Sequence, residues 1–282
     1  SIQSNIKKAK KYLDKNHCIA VPTETVYGLA GNAYSDQSAK KIFKLKKRPL
    51  NNPLIVHYSD INKLEDDCVV NDNFIKLYNK FSPGPITFIL KLKKGSKISK
   101  FVTNKQKSLA VRFPKHPLFR KLLKSLDYPL AAPSANMSTR LSSVKATDVI
   151  EEFGSKIKYV LDGGKCKIGL ESTIVNLLDK PTILRYGGLD ILKIKKVLNK
   201  KVLVKTTSKK KIAPGQFPLH YSPGIPLRIN AKKPKKDEAF VLIKKRKTKF
   251  KNYYYLSKKN DLQQSAKNLY TLLRKIKKDG YK

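Results

Sequence analysis

The sequence predicts an α/β protein built on a mixed sheet, followed by a smaller second α/β unit. Two patterns and a break between them carry that expectation. Short apolar and β-branched runs alternate with amphipathic runs at helical spacing up to about residue 200. Residues 201–224 then lapse into a Lys/Thr/Ser run with Pro-Gly punctuation, after which a shorter α/β pattern resumes. At 282 residues with 40% hydrophobic content, the chain is long enough for one large and one small core.

In chain order, Ser4 stands where a cap belongs for a first helix whose Ile6, Ala9, Tyr12 and Leu13 share a face. A strand over 18–21 runs into the stretch from Pro22 to Ala30, reading Pro-Thr-Glu-Thr-Val-Tyr-Gly-Leu-Ala. Asp36 caps a second helix carrying Ala39, Ile42, Phe43 and Leu45, which Pro49 ends. Strands are expected at 54–57, 86–92, 108–112 and 130–132, with helices at 73–81 and 116–126 between them. Thr147 caps a helix to Phe153; strands at 159–161, 173–178 and 183–185 and a helix at 190–198 complete a first domain over 1–200. Residues 201–224 read as a linker, although Gln216, Phe217, His220 and Tyr221 are not spacer residues. The second domain, 225–282, offers strands at 227–229, 240–243 and 253–256 and a helix at 262–276.

The formal charge of +42 invites a nucleic-acid reading. Only eight of the 62 basic residues are arginine, however, and the lysines are spread over nearly every segment. Compositional drift on solvated faces and a selected polyanion-binding surface both fit. Either would attract RNA weakly and non-specifically at low salt. Cys18, Cys68 and Cys166 are far apart and read as reduced core residues, and the four histidines are equally scattered, so no structural zinc site is expected. No apolar run approaches the roughly 20 residues a membrane span needs. The Lys-rich N-terminal helix has no secretory-signal pattern, and a cytoplasmic protein is expected.

Polar groups gather at a few places, each with a plain and a functional reading. Lys46 and Arg48 flank a helix end at Pro49: surface lysine drift, or an anion site. Ser134 and Asn136 follow a buried strand in a proline-fixed loop: turn chemistry, or presented donors. Arg112 lies inside an apolar strand, where an unpaired charge is costly, so it either bridges to Glu24 or Glu171 or awaits an anion. His57, ending a strand, is by itself most simply a core histidine.

Taken together, the motifs resemble a known family. They are Pro-Thr-Glu-Thr-Val-Tyr-Gly-Leu from Pro22, Lys-x-Arg-Pro-x-x-Asn-Pro-Leu-Ile-Val-His from Lys46, Ala-Val-Arg-x-Pro ending at Pro114, Ala-Ala-Pro-Ser-Ala-Asn-x-Ser from Ala131 and Glu-Ser-Thr-Ile-Val from Glu171. They resemble the YrdC-like fold, a twisted mixed sheet with flanking helices. The linker Pro-Gly-x-x-x-x-His-Tyr-Ser-Pro and the extra C-terminal unit resemble the long, two-domain threonylcarbamoyl-AMP synthases of that family. The resemblance is strong to residue 188 and weak beyond 225.

It implies a nucleotidyltransferase that converts ATP, L-threonine and bicarbonate (or CO2) to threonylcarbamoyl-adenylate and pyrophosphate. A partner transferase would then deliver the threonylcarbamoyl group to a tRNA adenosine beside the anticodon. Catalysis would be positioning and charge neutralisation as a carbamate attacks the α-phosphate. The resemblance assigns Lys46, Arg48, Ser134 and Asn136 to the triphosphate, and Thr23, His57, Arg112, Ala132 and Ser172 to threonine. It assigns Arg48, Asn52, Ser108, Ser134, Ser142 and Arg185 to ATP, and His220 and Tyr221 to a lid. Mg2+ would be held mainly by phosphate oxygens. Glu24 would brace an arginine, and Tyr27 would pack.

The chain departs from the family pattern at several points. Ser108 stands for a usual Thr and Tyr186 for a common Pro. Thr139 stands for the Gly of Ser-Ala-Asn-x-Ser-Gly, and the basic residue common before His-Tyr is absent. Relatives usually continue past the position of Lys282, so the second domain is either reduced or cut short. One rival is an RNA-binding module of this fold without chemistry, which has no need of a threonine pocket. Another is a carbamoyl-transfer maturation protein, which would carry zinc-finger cysteines and an acylphosphatase module that are missing here.

Overall fold

Helix α1 (Ile2–Asp14) is held by its cap and by one apolar face: Ser1 accepts from the Ser4 amide (3.3 Å), and Ala9 and Leu13, four apart, are buried. Ser4 is therefore inside the helix rather than its cap. The computed structural model describes residues 1–207, 212–215, 221–244 and 250–281. Strands β1 (Ile19–Val21) and β2 (Gly28–Asn32) form an antiparallel hairpin pairing Val21 with Gly28, with the Pro-Thr-Glu-Thr stretch at its tip. In α2 (Asp36–Lys46) the cap is Ser35, one residue earlier than expected, with Asp36 in the first turn.

The next elements are β3 (Ile55–His57), α3 (Ile61–Glu65), β4 (Cys68–Val69), α4 (Asp72–Phe81), β5 (Ile86–Leu92), α5 (Lys100–Thr103), β6 (Ser108–Arg112), α6 (Pro117–Lys124) and β7 (Leu130–Ala131). Then come α7 (Ala146–Phe153), β8 (Thr173–Asn176), β9 (Thr182–Arg185), α8 (Ile191–Leu198) and β10 (Leu203–Val204). Lys145, not Thr147, is the cap residue of α7, and Asp148 accepts from the Val144 and Lys145 amides there. Among the described residues the sheet order is β1-β2-β7-β3-β6-β5-β8-β9-β10, with β4 alongside β5. The pairs β3–β6, β5–β8 and β9–β10 are parallel and the rest antiparallel, so the sheet is mixed as predicted. The expected strand at 159–161 is a single bridge from Val160 to Ala20.

Alternation sorts the strand residues between two faces. Val56, Phe88, Leu90, Leu109, Val111 and Val175 join the main core with helix residues such as Ile42, Phe74, Leu77, Val149 and Ile194. On the other face Ile55, Ile89, Ala110, Ile174 and Leu184 form a small apolar patch covered by Ile212 and Ala213 of the segment after β10. The second unit pairs β11 (Phe240–Leu242) with β12 (Tyr253–Tyr255) in parallel and ends in α9 (Leu262–Lys278). Tyr270, Leu273 and Ile276 of α9 are buried in the main core, so this helix docks on the first domain. No strand forms at 227–229, where Leu227 and Ile229 are 61% and 76% exposed. Among the described residues no helix is long and apolar enough to cross a membrane.

Candidate active site

The sheet registers bring the functional residues into one row. His57 pairs with Arg112, Arg112 with Thr87, Thr87 with Ile174 and Ile174 with Arg185, across β3, β6, β5, β8 and β9. The hairpin tip closes one side of this row. Thr23 Oγ1 donates to the Val26 carbonyl (2.6 Å) and accepts from the Thr25 and Val26 amides (3.0 and 3.1 Å), which winds the tip into a tight turn. Amide bonds from Ile168 to Glu24 O, from Gly169 to Thr25 O and from Tyr27 to Ser143 O pin it in place. Tyr27 does more than pack: its hydroxyl accepts from the Gly163 amide (3.0 Å) and lies 2.8–3.0 Å from Gly164 O and Asp162 Oδ1.

Thr23, Arg48, His57, Arg112, Ala132, Ser134, Ser172 and Arg185 border one cavity, together with Ile55, Glu171 and Pro214. Its volume is about 40 Å³. Of the two partners open to Arg112 the structure selects Glu24: Nη2 donates to Oε1 at 2.7 Å, both groups buried, while Glu24 Oε2 accepts from the Lys115 amide (2.9 Å). That leaves Arg112 Nε, also buried, with no hydrogen-bond partner among the described residues; His57 Nδ1 has none either. Burial first, then the Arg112 charge, holds the His57 pKa down to about 3, so its ring is neutral at physiological pH.

The helix end at Lys46 explains the other wall. Lys47 takes a left-handed conformation (φ 49°), and the Arg48 and Lys47 amides turn back to Phe43 O and Lys44 O. The helix therefore ends three residues before Pro49, and this turn puts Lys47 outside while Lys46 and Arg48 point in. Arg48 is held by Asn52 O (3.0 Å), Asn52 Oδ1 (2.5 Å) and Pro53 O (2.9 Å). Burial and the nearby Arg185 guanidinium lower its pKa to about 9. Arg185 in turn donates to Ser172 O and Ser172 Oγ, both 3.0 Å, and Ser172 Oγ lies 2.7 Å from Thr87 Oγ1. Gly187 is required beneath this corner, because a Cβ there would lie 2.4 Å from Glu171 O.

Several expected ligands stand one layer back. Lys46 is 1% exposed, and its Nζ donates to Ser134 O (2.5 Å) and Asn136 O. It thus clamps the Ser134–Asn136 loop, and burial, then Arg48, lowers its pKa well below the usual lysine range. Asn136 Nδ2 donates to Met137 O and Arg140 O, with its Oδ1 buried and unpartnered among the described residues. Ser142 donates to Glu171 Oε1. Asn52 supports Arg48 rather than bordering the cavity. Ser108 lies at the opposite end of β6, paired with Lys91 and roughly 13 Å from Arg112 at the usual strand rise. Tyr221 (φ 58°) stacks on Tyr270 with centroids 6.0 Å apart, and His220 lies outside the described residues. Thr139, where the family pattern has Gly, takes φ 73°. The sequence reading omitted Glu171 from the site, although its place directly before Ser172 marks it.

Comparison with known proteins places these features. Residues 11–187 match the Sua5–YciO–YrdC family model, described as telomere recombination. Residues 190–282 match the model for the C-terminal domain of threonylcarbamoyl-AMP synthase. The chain is 40% identical over 229 residues to the threonylcarbamoyl-AMP synthase of Bacillus subtilis, covering 79% of this chain and 66% of that one. It is 37% identical over 224 residues to the enzyme of that name from Pyrococcus abyssi, covering 77% and 65%. The chain thus matches just under two-thirds of the length of these curated relatives. The crystal structure of P. abyssi Sua5 complexed with L-threonine superposes with a TM-score of 0.89 at 31% identity, covering 98% of this chain and 86% of that one. Escherichia coli YciO, at 21% identity, shares the fold over 67% of this chain and 92% of its own, with a TM-score of 0.60.

Proposed function

The chain belongs to the Sua5–YciO–YrdC family, and from that premise we propose that it is a threonylcarbamoyl-AMP synthase. It would join L-threonine, bicarbonate and ATP into threonylcarbamoyl-adenylate and release pyrophosphate. The observation that carries this reading is Arg112 Nε, a buried donor with no hydrogen-bond partner among the described residues, on a residue that borders the cavity beside its strand partner His57. A buried donor left unpaired costs about 1–3 kcal/mol, and an amino-acid carboxylate laid across Arg112 removes that cost. P. abyssi Sua5, whose fold this chain shares, binds L-threonine.

The nucleotide belongs at the other end of the same row. Arg48 and Arg185 crowd two guanidiniums together there, and their mutual repulsion contributes to the low Arg48 pKa. A triphosphate relieves it. Ser134, whose carbonyl Lys46 holds, borders the same cavity. The carbamate formed on the threonine amine then lies between the Arg112 end and the Arg48 end, positioned for in-line attack at the α-phosphate, and the arginines neutralise the charge gathering on the leaving pyrophosphate. Mg2+ arrives with ATP on its phosphate oxygens. The nearby carboxylates support that assignment, since Glu24 is engaged by Arg112 and the Lys115 amide, and Glu171, in the cavity wall, by two hydroxyls.

In the segment over 212–215, Ala213 is fully buried on the apolar patch of the sheet, and Pro214 forms part of the cavity wall. Lifting of this part of the linker would widen the entrance for the substrates, and its return would shield the labile adenylate from water. The product would pass, in the cytoplasm, to a transferase that modifies tRNA, and the +42 charge would add weak, salt-sensitive RNA affinity.

The test is pyrophosphate release from ATP without tRNA. The proposal expects release only when L-threonine and bicarbonate are both present. Release that ignores threonine, or none from well-folded protein, refutes it, and no release at all leaves the non-catalytic RNA-binding reading.

A further inference from the structure

Glu171 is an anion in the wall of a cavity that also presents Arg48, Arg112 and Arg185. A buried carboxylate among guanidiniums ordinarily pairs with one of them. Among the described residues Glu171 pairs with none; Arg112 is taken by Glu24, and Arg185 is turned onto Ser172. Its two oxygens instead accept from neutral hydroxyls. Ser142 donates to Oε1, and Tyr270 of α9 donates to Oε2 at 2.8 Å.

Tyr270 is well anchored for such a task. Gly169 allows α9 to approach, since a Cβ there would lie 2.8 Å from the Lys267 Cα. Arg274 donates to Glu152 Oε1 (3.2 Å) and Leu141 O (2.7 Å), and Lys278 to Glu151 (2.7 Å), so the helix is fastened on both sides of the loop that carries Ser142. The Tyr270 ring also receives Tyr221 of the linker in a stack. Burial, then the Glu171 charge, raises the Tyr270 pKa, and the phenol stays a donor throughout the physiological range.

We propose that Tyr270 is a positioning residue for the nucleotide site: with Ser142 it holds the Glu171 carboxylate on hydroxyl donors and away from Arg48 and Arg185, leaving their charge to phosphate. The C-terminal unit thereby acts on ATP affinity through one phenol, without touching the nucleotide. This rests on the nucleotide reading above. Losing the phenol frees Oε2, and the carboxylate turns to the arginines and competes with the triphosphate.

The experiment is titration calorimetry of the full chain with ATP and, separately, with L-threonine. Tyr270→Phe keeps the ring and its stack on Tyr221. It is expected to raise the ATP Kd about tenfold and leave the L-threonine Kd within about twofold. Ser142→Ala, which frees the other oxygen, is expected to act in the same direction and serves if Tyr270→Phe folds poorly. In a Glu171→Gln background a neutral amide no longer competes for arginine, so Tyr270→Phe should then change the ATP Kd by less than about twofold. An unchanged ATP Kd in Tyr270→Phe, an equal loss of threonine binding, or a penalty that persists in Glu171→Gln overturns the inference alone. Wild-type protein that binds no ATP overturns the nucleotide reading, and this inference with it.

Discussion

Lys46 separates two accounts of the triphosphate wall, and replacing it with methionine distinguishes them. The family motif assigns this lysine to phosphate, whereas the structure gives its Nζ two backbone carbonyls, Ser134 O and Asn136 O. Methionine keeps most of the length and removes the charge and the donors. The buried Asn136 carbonyl then loses its partner at about 1–3 kcal/mol, while Ser134 O keeps the Asn136 amide (3.0 Å). Part of that is recovered, because a buried ammonium no longer has to be desolvated, the same cost that depresses the Lys46 pKa. The net loss should be about 1–2 kcal/mol of unfolding free energy. Denaturant titration reads it as a lower midpoint at unchanged slope. Lys47→Ala, at the exposed neighbour, should stay within about 0.5 kcal/mol. A pure phosphate ligand behaves differently: Lys46→Met would then be as stable as wild type or more so, with only ATP affinity lost. That result would refute the clamp.

The strands at 86–92 and 108–112 were legible to the residue because both ends are marked, by a Pro-Gly turn or by a polar residue at the last paired position. Caps slipped by one to three residues where neighbouring polar side chains were all competent. At α2, Ser35 rather than Asp36 receives the Ser38 amide (3.2 Å), and Asp36 accepts from Ser99 instead. The strand expected at 227–229 failed because apolar alternation promises a pairing edge only if a partner strand exists, and none lies beside it among the described residues. In the site, Arg112 announced itself as a charge in an apolar strand, yet register and not sequence chose Glu24 over Glu171. The contact between Glu171 and Tyr270 spans 99 residues and leaves no local pattern to read. Lys46 was identified as important, but its direction depends on the left-handed turn at Lys47 and on a loop 88–90 residues further on.

Further outcomes follow from the same geometry. The unfolded-chain imidazole protonates near pH 6.5 and the buried His57 ring only near 3, so the unfolded state binds more protons in between. Stability is therefore complete above about pH 6.5 and falls with pH, by roughly 2 kcal/mol at pH 5; His57→Asn should flatten the stability–pH curve by about one proton over that window. Thr139 holds a β-branched side chain at φ 73°, so Thr139→Gly should raise unfolding free energy by about 0.5–1 kcal/mol, the relief exceeding the glycine entropy cost, and thermal denaturation checks it. Gly169→Ala should loosen α9, because its Cβ meets the Lys267 backbone at φ 79°; hydrogen exchange should show faster amides in Leu262–Lys278 than in β5 and β6.

The central claim is that the unpartnered donor at Arg112 exists for an amino-acid carboxylate. Wild-type protein titrated with L-threonine and with L-threoninamide tests it without any substitution. A charge-assisted bond to the guanidinium is worth about 1.5–3 kcal/mol, so the account predicts saturable L-threonine binding at least about tenfold tighter than that of the amide. Equal binding of the two, or no binding of L-threonine, would contradict it.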